Sequence, residues 1–195
     1  MSTTEQTSIT PNIDTITLAG GCFWCVEAVY LRMKGVVTST SGYANGTVKN
    51  PTYKEVCTGE TGHAEVVQLT YDKTQTSLED ILAVFFAVHD PTTLNRQGDD
   101  VGTQYRSGIY YHNDEQKKIA NEVIEKLTKN VVLPDGSQVF QNSTIVTEVL
   151  PLKSFYKAED YHQDYYANNP QNPYCQIVAR SKVEKFEKLF KDKVK

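Results

Sequence analysis

A chain of 195 residues with a net charge of −4 can bury a substantial core in one domain without staples. Its acidic balance argues against a phosphate-binding surface, and so against nucleic acid as a partner. No apolar run approaches the roughly 18 residues needed to cross a bilayer, and four unevenly spread cysteines are too few for a secreted disulfide scaffold.

From Met1 to Asp14 the chain is rich in Thr and Ser, has no Lys or Arg, and lacks an apolar stretch ending in a small-residue cleavage site. A disordered or extended segment over 1–14 is expected, with no export and a cytoplasmic location, and a single domain over 15–195. Thr15 to Ala19 reads as a strand running into a turn at Gly20-Gly21. Apolar residues at Val26, Val29, Tyr30 and Met33 then fall at helical spacing, with Gly35 placed to cap the carboxyl end, so Cys22 opens a helix. A β-rich stretch, Val36 to Tyr43, precedes a long polar loop from Asn45 to Gly62. His63 to Tyr71 alternates, with Glu65, Val67, Leu69 and Tyr71 on one face. Ser77 followed by Asp80 starts a second helix that Pro91 ends. After another loop from Thr92 to Arg106, a strand over Gly108 to His112 leads into a helix through Ile119, Val123 and Leu127. The order β-α-β-β-α-β predicts an α+β fold of the split βαβ, ferredoxin-like plait type, a two-layer sandwich. A loop-rich C-terminal extension follows. It holds a turn at Pro134-Asp135-Gly136, a strand from Ile145 to Leu150, a polar aromatic helix around Glu159 to Tyr166, and a Lys-rich final helix.

A cysteine in the first turn of a helix, directly after two glycines, points its sulfur at unpaired backbone N–H groups and ionises more easily. Cys22 is either such a nucleophile or a small buried residue. Phe23 and Trp24 beside it could cradle a methyl group or a second sulfur, or simply be core. Cys25 completes a C-x-x-C, compatible with a redox pair or with half of a zinc site that Cys175, Cys57, His63 or His162 would have to complete from afar. Glu65, on the mostly apolar face of its strand, is either a desolvated general acid or a strand-end carboxylate reaching solvent. Tyr53, Asp100, Tyr105 and Arg106 lie in the two polar loops, where functional side chains concentrate. Cys57, in a β-compatible context after Val56, reads as structural. Cys175 follows Asn-Pro-Tyr in a segment that reads as a flexible loop, suited to a thiol that travels to another sulfur and equally to an idle one.

Taken together, Gly20-Gly21-Cys22-Phe23-Trp24, Tyr53 with Val56-Cys57-Thr58-Gly59, Gly62-His63-Ala64-Glu65, His89-Asp90-Pro91 with Arg96-Gln97-Gly98, Gly102-Thr103-Gln104-Tyr105-Arg106-Ser107, Tyr161-His162-Gln163 and Tyr174-Cys175 resemble the MsrA family of peptide-methionine (S)-S-oxide reductases. The resemblance implies that Cys22 attacks the sulfur of a methionine sulfoxide, free or in a protein, while Glu65 protonates the departing oxygen, leaving a sulfenic acid on Cys22. Tyr53 and Tyr105 would hold the oxygen, Phe23 and Trp24 the methyl group, Asp100 would help bind the substrate backbone or order the site, and Tyr165 would line the same pocket. Cys175 would resolve the sulfenic acid, with Cys25 the alternative, since Cys25 stands where the family usually has glycine. A monomer without metal or organic cofactor, repairing oxidised proteins and recycled by thioredoxin, is the expectation.

Overall fold

The computed structural model describes residues 10–129 and 143–195; the turn read at Pro134-Asp135-Gly136 lies outside them. In chain order the first elements are β1 (Ile13–Gly20), α1 (Phe23–Tyr30), β2 (Val36–Ala44), α2 (Tyr53–Cys57), β3 (Ala64–Asp72) and α3 (Leu78–Val88). They are followed by β4 (Arg96–Gln97), β5 (Asp100–Val101), β6 (Ser107–Tyr111), α4 (Asp114–Thr128), β7 (Glu148–Pro151), β8 (Phe155–Lys157), α5 (Tyr165–Asn168) and α6 (Arg180–Leu189).

The fold is mixed α+β. One sheet runs β7-β6-β1-β3-β2-β8, antiparallel except for the parallel β6–β7 pair, and β4–β5 form a separate hairpin. Strand alternation sets its two faces. Ile16, Leu18, Val67, Leu69 and Tyr71 meet α1, α3 and α6 in the main core, whereas Ala19, Ala44, Ala64, Val66 and Tyr110 form a smaller cluster on the opposite face with Leu152 and Phe155. Register supports this division, since Ile16 faces Leu69 and Leu18 faces Val67 across β1–β3. Helix starts are fixed by side-chain caps: the Ser77 hydroxyl accepts from the Asp80 amide at 3.1 Å and Asn113 Oδ1 from Gln116 at 2.9 Å.

β1 begins at Ile13, two residues ahead of the strand read from Thr15. Three expectations need correction. The loop from Asn45 to Gly62 contains α2, which starts on a reciprocal Thr52–Glu55 capping box and ends at Cys57, so that cysteine closes a helix and is exposed rather than structural in a strand. The aromatic segment near Glu159 is broken into a 3-10 turn, Asp160–His162, and the short α5, because Asp164 takes a left-handed conformation, φ 49°. Finally, Cys175 does not sit in a loop: it opens a π-helical stretch, Cys175–Ala179, that continues into α6, and its side chain is buried.

Candidate active site

The site is built at the head of α1. Gly21, φ +87°, makes the turn out of β1, and a Cβ there would lie 2.5 Å from Gln97 Cγ. Only glycine allows both the backbone angle and this close approach. Gln97 is held in turn by the backbone of Asp90, accepting from its amide at 3.0 Å and donating to its carbonyl at 2.9 Å. The turn delivers Cys22 to the N-cap position, where its carbonyl accepts from the Cys25 amide at 3.2 Å and its side chain caps nothing. The next free amide, that of Phe23, donates to Glu65 Oε2 at 3.1 Å. The carboxyl of β3 thus lies against the helix head that carries Cys22.

Electrostatics divide the protons among these groups. Burial, opposed by the Phe23 amide, pushes the Glu65 carboxyl up to about 8, so it is protonated near neutral pH. Burial also raises the Cys22 thiol well above its ordinary value, and the hydrogen bond with Cys25 raises it further. The ease of ionisation expected from the helix head is therefore overridden by desolvation. That same hydrogen bond from Cys22 lowers Cys25, against burial, with the Lys182 ammonium adding to the effect. Of the two sulfurs, Cys25 is therefore the one that ionises more readily.

On the Glu65 side the walls are aromatic. Trp24 stacks on Tyr165 with centroids 3.8 Å apart and planes at 8°, and its Nε1 donates to His162 Nδ1 at 3.0 Å. Phe23 lies 6.4 Å from Tyr53 and 5.2 Å from His162 between centroids. Tyr53, at the start of α2, is fixed by Glu159, whose Oε2 accepts from the Tyr53 amide at 3.1 Å while Oε1 accepts from the Tyr43 hydroxyl at 2.8 Å. Tyr105 ends the 3-10 turn Thr103–Tyr105. Burial first, and then the Glu65 charge, raise both the Tyr53 and the Tyr105 hydroxyl, so each stays a donor. Arg106 takes a different part, donating to Glu148 at 3.3 Å and to the Gly62 carbonyl at 3.0 Å, which ties the loop to β7.

Beside the sulfurs lies a cavity of about 300 Å³ lined by Cys22, Cys25, Asp100, Tyr174 and Lys182 among others. The Cys25 sulfur is 3.7 Å from the Tyr174 hydroxyl, which donates to Asp100 Oδ2 at 2.6 Å. Asp100 thus borders the thiols through Tyr174, and Tyr165 backs Trp24. Cys175, buried at the start of the π-helical stretch, borders a separate surface cleft with Tyr166 and Ile177. Among the described residues, no three His, Cys, Asp or Glu side chains are grouped to hold a metal ion, which leaves the zinc reading of the C-x-x-C without its remaining ligands.

Sequence reasoning gave no positioning role to three residues that hold the site together, His162 entering it only as a possible zinc ligand. Glu159 holds Tyr53, His162 holds Trp24, and Lys182 reaches the thiols from α6. His162 stood in a quoted motif, but Glu159 and Lys182 come from segments whose only signal is polarity.

Residues 14–194 match the family model for peptide methionine sulfoxide reductase. The chain is 55% identical over 183 residues to the peptide methionine sulfoxide reductase MsrA of Saccharolobus solfataricus, covering 94% of this chain and 98% of that one. The crystal structure of Mxr1 from Saccharomyces cerevisiae in reduced form is similar with a TM-score of 0.72 and 38% identity, over 87% of this chain and 94% of that one. The same yeast protein in complex with Trx2 superposes with a TM-score of 0.51 at 29% identity, over 82% and 91% of the two chains. The glycine turn, the thiol at the helix head, the protonated carboxyl beside it and this extent of similarity agree: the chain belongs to the peptide methionine sulfoxide reductase family.

Proposed function

We propose that this chain reduces methionine S-sulfoxide, free or in proteins, to methionine, using Cys22 as nucleophile and Glu65 as general acid. The observation that carries the reading is the buried Glu65 carboxyl seated on the Phe23 amide, one residue from Cys22. A sulfoxide oxygen leaves poorly unless protonated, and a carboxyl pushed up to about 8 holds the required proton at neutral pH. Tyr53 and Tyr105, kept as neutral donors, hydrogen-bond the oxygen as charge develops on it. Phe23, Trp24 and Tyr165 enclose the methyl group, and Asp100 orders the substrate backbone or the Tyr174 hydroxyl. The methionine sulfur gains two electrons, Cys22 loses two, and the oxygen passes to Cys22 as a sulfenic acid.

Cys25 is the first thiol placed to resolve that acid, because it lies one helical turn from Cys22 and lines the same cavity, whereas Cys175 borders another. Cys175 takes part only after the π-helical turn that buries it opens, which reverses the preference drawn from a mobile loop. Thioredoxin is the reductant by analogy with the yeast relative's complex with Trx2. The reading also places the chain in the cytoplasm as a monomeric protein-repair enzyme, with residues 15–195 as one catalytic domain. Its β6-β1-β3-β2 core, a 4-1-3-2 order of antiparallel strands, supports the ferredoxin-like plait. No helix among the described residues is long and apolar enough to cross a membrane.

The test is a single turnover of each sulfoxide epimer without reductant, followed by mapping of the disulfide. One equivalent of methionine from the S epimer alone is expected, and none from Cys22→Ser. Turnover by that variant would reject the mechanism.

A further inference from the structure

One cation stands behind the thiol pair, and the chemistry above does not use it. Lys182 lines the same cavity as Cys22, Cys25, Asp100 and Tyr174. Its Nζ donates at 3.0 Å to the carbonyl of Val88, the last residue of α3. A helix carboxyl end is a natural seat for an ammonium, and the bond pins a side chain that would otherwise be free. Two N–H donors remain for the cavity.

The groups facing Cys25 can be taken element by element. Cys22 faces it from the head of its own helix, and Tyr174 from the segment before the π-helical turn, 3.7 Å away. Asp100 stands behind Tyr174 on β5, with Asp99 in the adjoining turn, and Lys182 approaches from α6, with Lys185 further along that helix. Tyr174 has one proton, and the 2.6 Å bond to Asp100 engages it. Beside the Tyr174 hydroxyl and the Cys175 thiol at the head of the π-helical turn, the Cys22 thiol and Lys182 are left to balance a negative charge on Cys25, against two nearby carboxylates. Once Cys22 is oxidised its sulfur no longer carries that proton. Among the described residues lining the cavity, Lys182 is then the sole cation.

We infer that Lys182 is a positioning residue for disulfide closure: its ammonium, anchored on the end of α3, holds Cys25 as the thiolate that attacks oxidised Cys22. The inference rests on the reading of Cys22 as nucleophile and Cys25 as its resolving partner. In the step itself the Cys25 thiolate attacks the Cys22 sulfenic sulfur and an S–S bond forms. The S–O bond breaks, and the oxygen leaves as water on taking a proton from solvent or the reset Glu65 carboxyl. The sulfenic sulfur is reduced and Cys25 oxidised, so the electrons balance. The lowering of the Cys25 thiol by Cys22, Lys182 and the Tyr174 hydroxyl, against burial and Asp100, agrees with this arrangement, as does the lowering of Lys182 itself by burial, resisted by both thiols and Asp100 and assisted by Lys185.

The experiment uses the full chain carrying Cys175→Ser, so that closure reports Cys25 alone. Methionine formation and loss of a trappable sulfenic acid are followed separately across pH after one turnover of methionine S-sulfoxide. Lys182→Gln keeps an N–H donor for the Val88 carbonyl but removes the charge, and Lys182→Arg keeps both. In Lys182→Gln, closure at neutral pH should slow about tenfold and its pH midpoint rise by about one unit, the equivalence of one pKa unit, while methionine formation changes little. Lys182→Arg should restore closure. Wild-type closure in Lys182→Gln, failure of rescue by Lys182→Arg, or equal slowing of both steps would overturn the role assigned to the charge. Absence of methionine formation in the parent protein, or persistence of the sulfenic acid there, would instead overturn the underlying assignment of Cys22 or Cys25.

Discussion

Replacing Glu65 by Gln should slow the oxygen-removal step and remove a pH dependence from stability. The amide is nearly isosteric and can still accept from the Phe23 amide, so the helix head is preserved while the acidic proton is lost. Loss of a general acid costs about 10²–10⁴ in rate, and that is the fall expected in single-turnover methionine formation. With the carboxyl pushed up to about 8, about nine-tenths of it is protonated at pH 7. The ratio of wild-type to Gln-variant rates, in which the ionisation of Cys22 cancels, should therefore stay level through neutrality and fall above pH 8.

Stability carries the same signature with the opposite beneficiary. Below the ordinary value of 4.5 both folded and unfolded chains hold the proton, and nothing is lost. Between there and about 8 only the folded chain holds it, so wild-type folding weakens by about 1.4 kcal/mol per pH unit from this group. Above that window the loss is constant. Urea unfolding at a series of pH values should show Glu65→Gln gaining on the wild type through this window. A variant with undiminished methionine formation, or two stability curves that stay parallel from pH 5 to 8, would refute the assignment of a buried, protonated acid.

The two candidate resolving thiols separate by mapping: Cys175→Ser should still close a disulfide within the C-x-x-C, whereas Cys25→Ser should leave a sulfenic acid that a nucleophilic trap captures. Gly21→Ala should destabilise the fold by about 1–3 kcal/mol, because alanine is strained at positive φ and its methyl would meet Gln97 Cγ at 2.5 Å; chemical denaturation gives the value, and an unchanged midpoint contradicts the packing described. Tyr165→Ala removes the face on which Trp24 stacks at 3.8 Å. An aromatic pair contributes about 0.5–1.5 kcal/mol beyond its burial, so KM for the sulfoxide should rise roughly two- to tenfold with little change in kcat, and a fall in kcat alone would argue against a binding role.

The long elements were legible because local signals and burial agree in them. Ser77, the apolar stripe of α3 and the alternation of β3 each carry their own periodicity, and the order of these elements follows from them. The Thr52–Glu55 capping box that starts α2 was also present in the sequence, masked by Pro51 and the glycines around it. β8 is three residues long and owes its existence to β2 alongside it, so no local pattern announces it. Asn-Pro before Tyr174 reads as loop punctuation, but the chain turns helical immediately afterwards, and this misplaced Cys175. For the site, the helix head under Cys22 was visible and its desolvation was not, since burial is supplied by α6 and by the hairpin from distant parts of the chain. Glu159 and Lys182 were hidden for the same reason: their partners, the Tyr53 amide and the Val88 carbonyl, are backbone groups that any sequence would offer.

Long surface segments are ordinarily where a fold tolerates insertion and drift. The one carrying β4 and β5 is denied that latitude, because Gln97 rests in the space left by the missing side chain of Gly21. Lengthening or shortening the stretch between Pro91 and Gln97 would lift it off this seat, shifting Asp100 and loosening the bend that aims the reactive sulfur. A stretch that looks dispensable from outside thus acts as a gauge block for the chemistry beneath it.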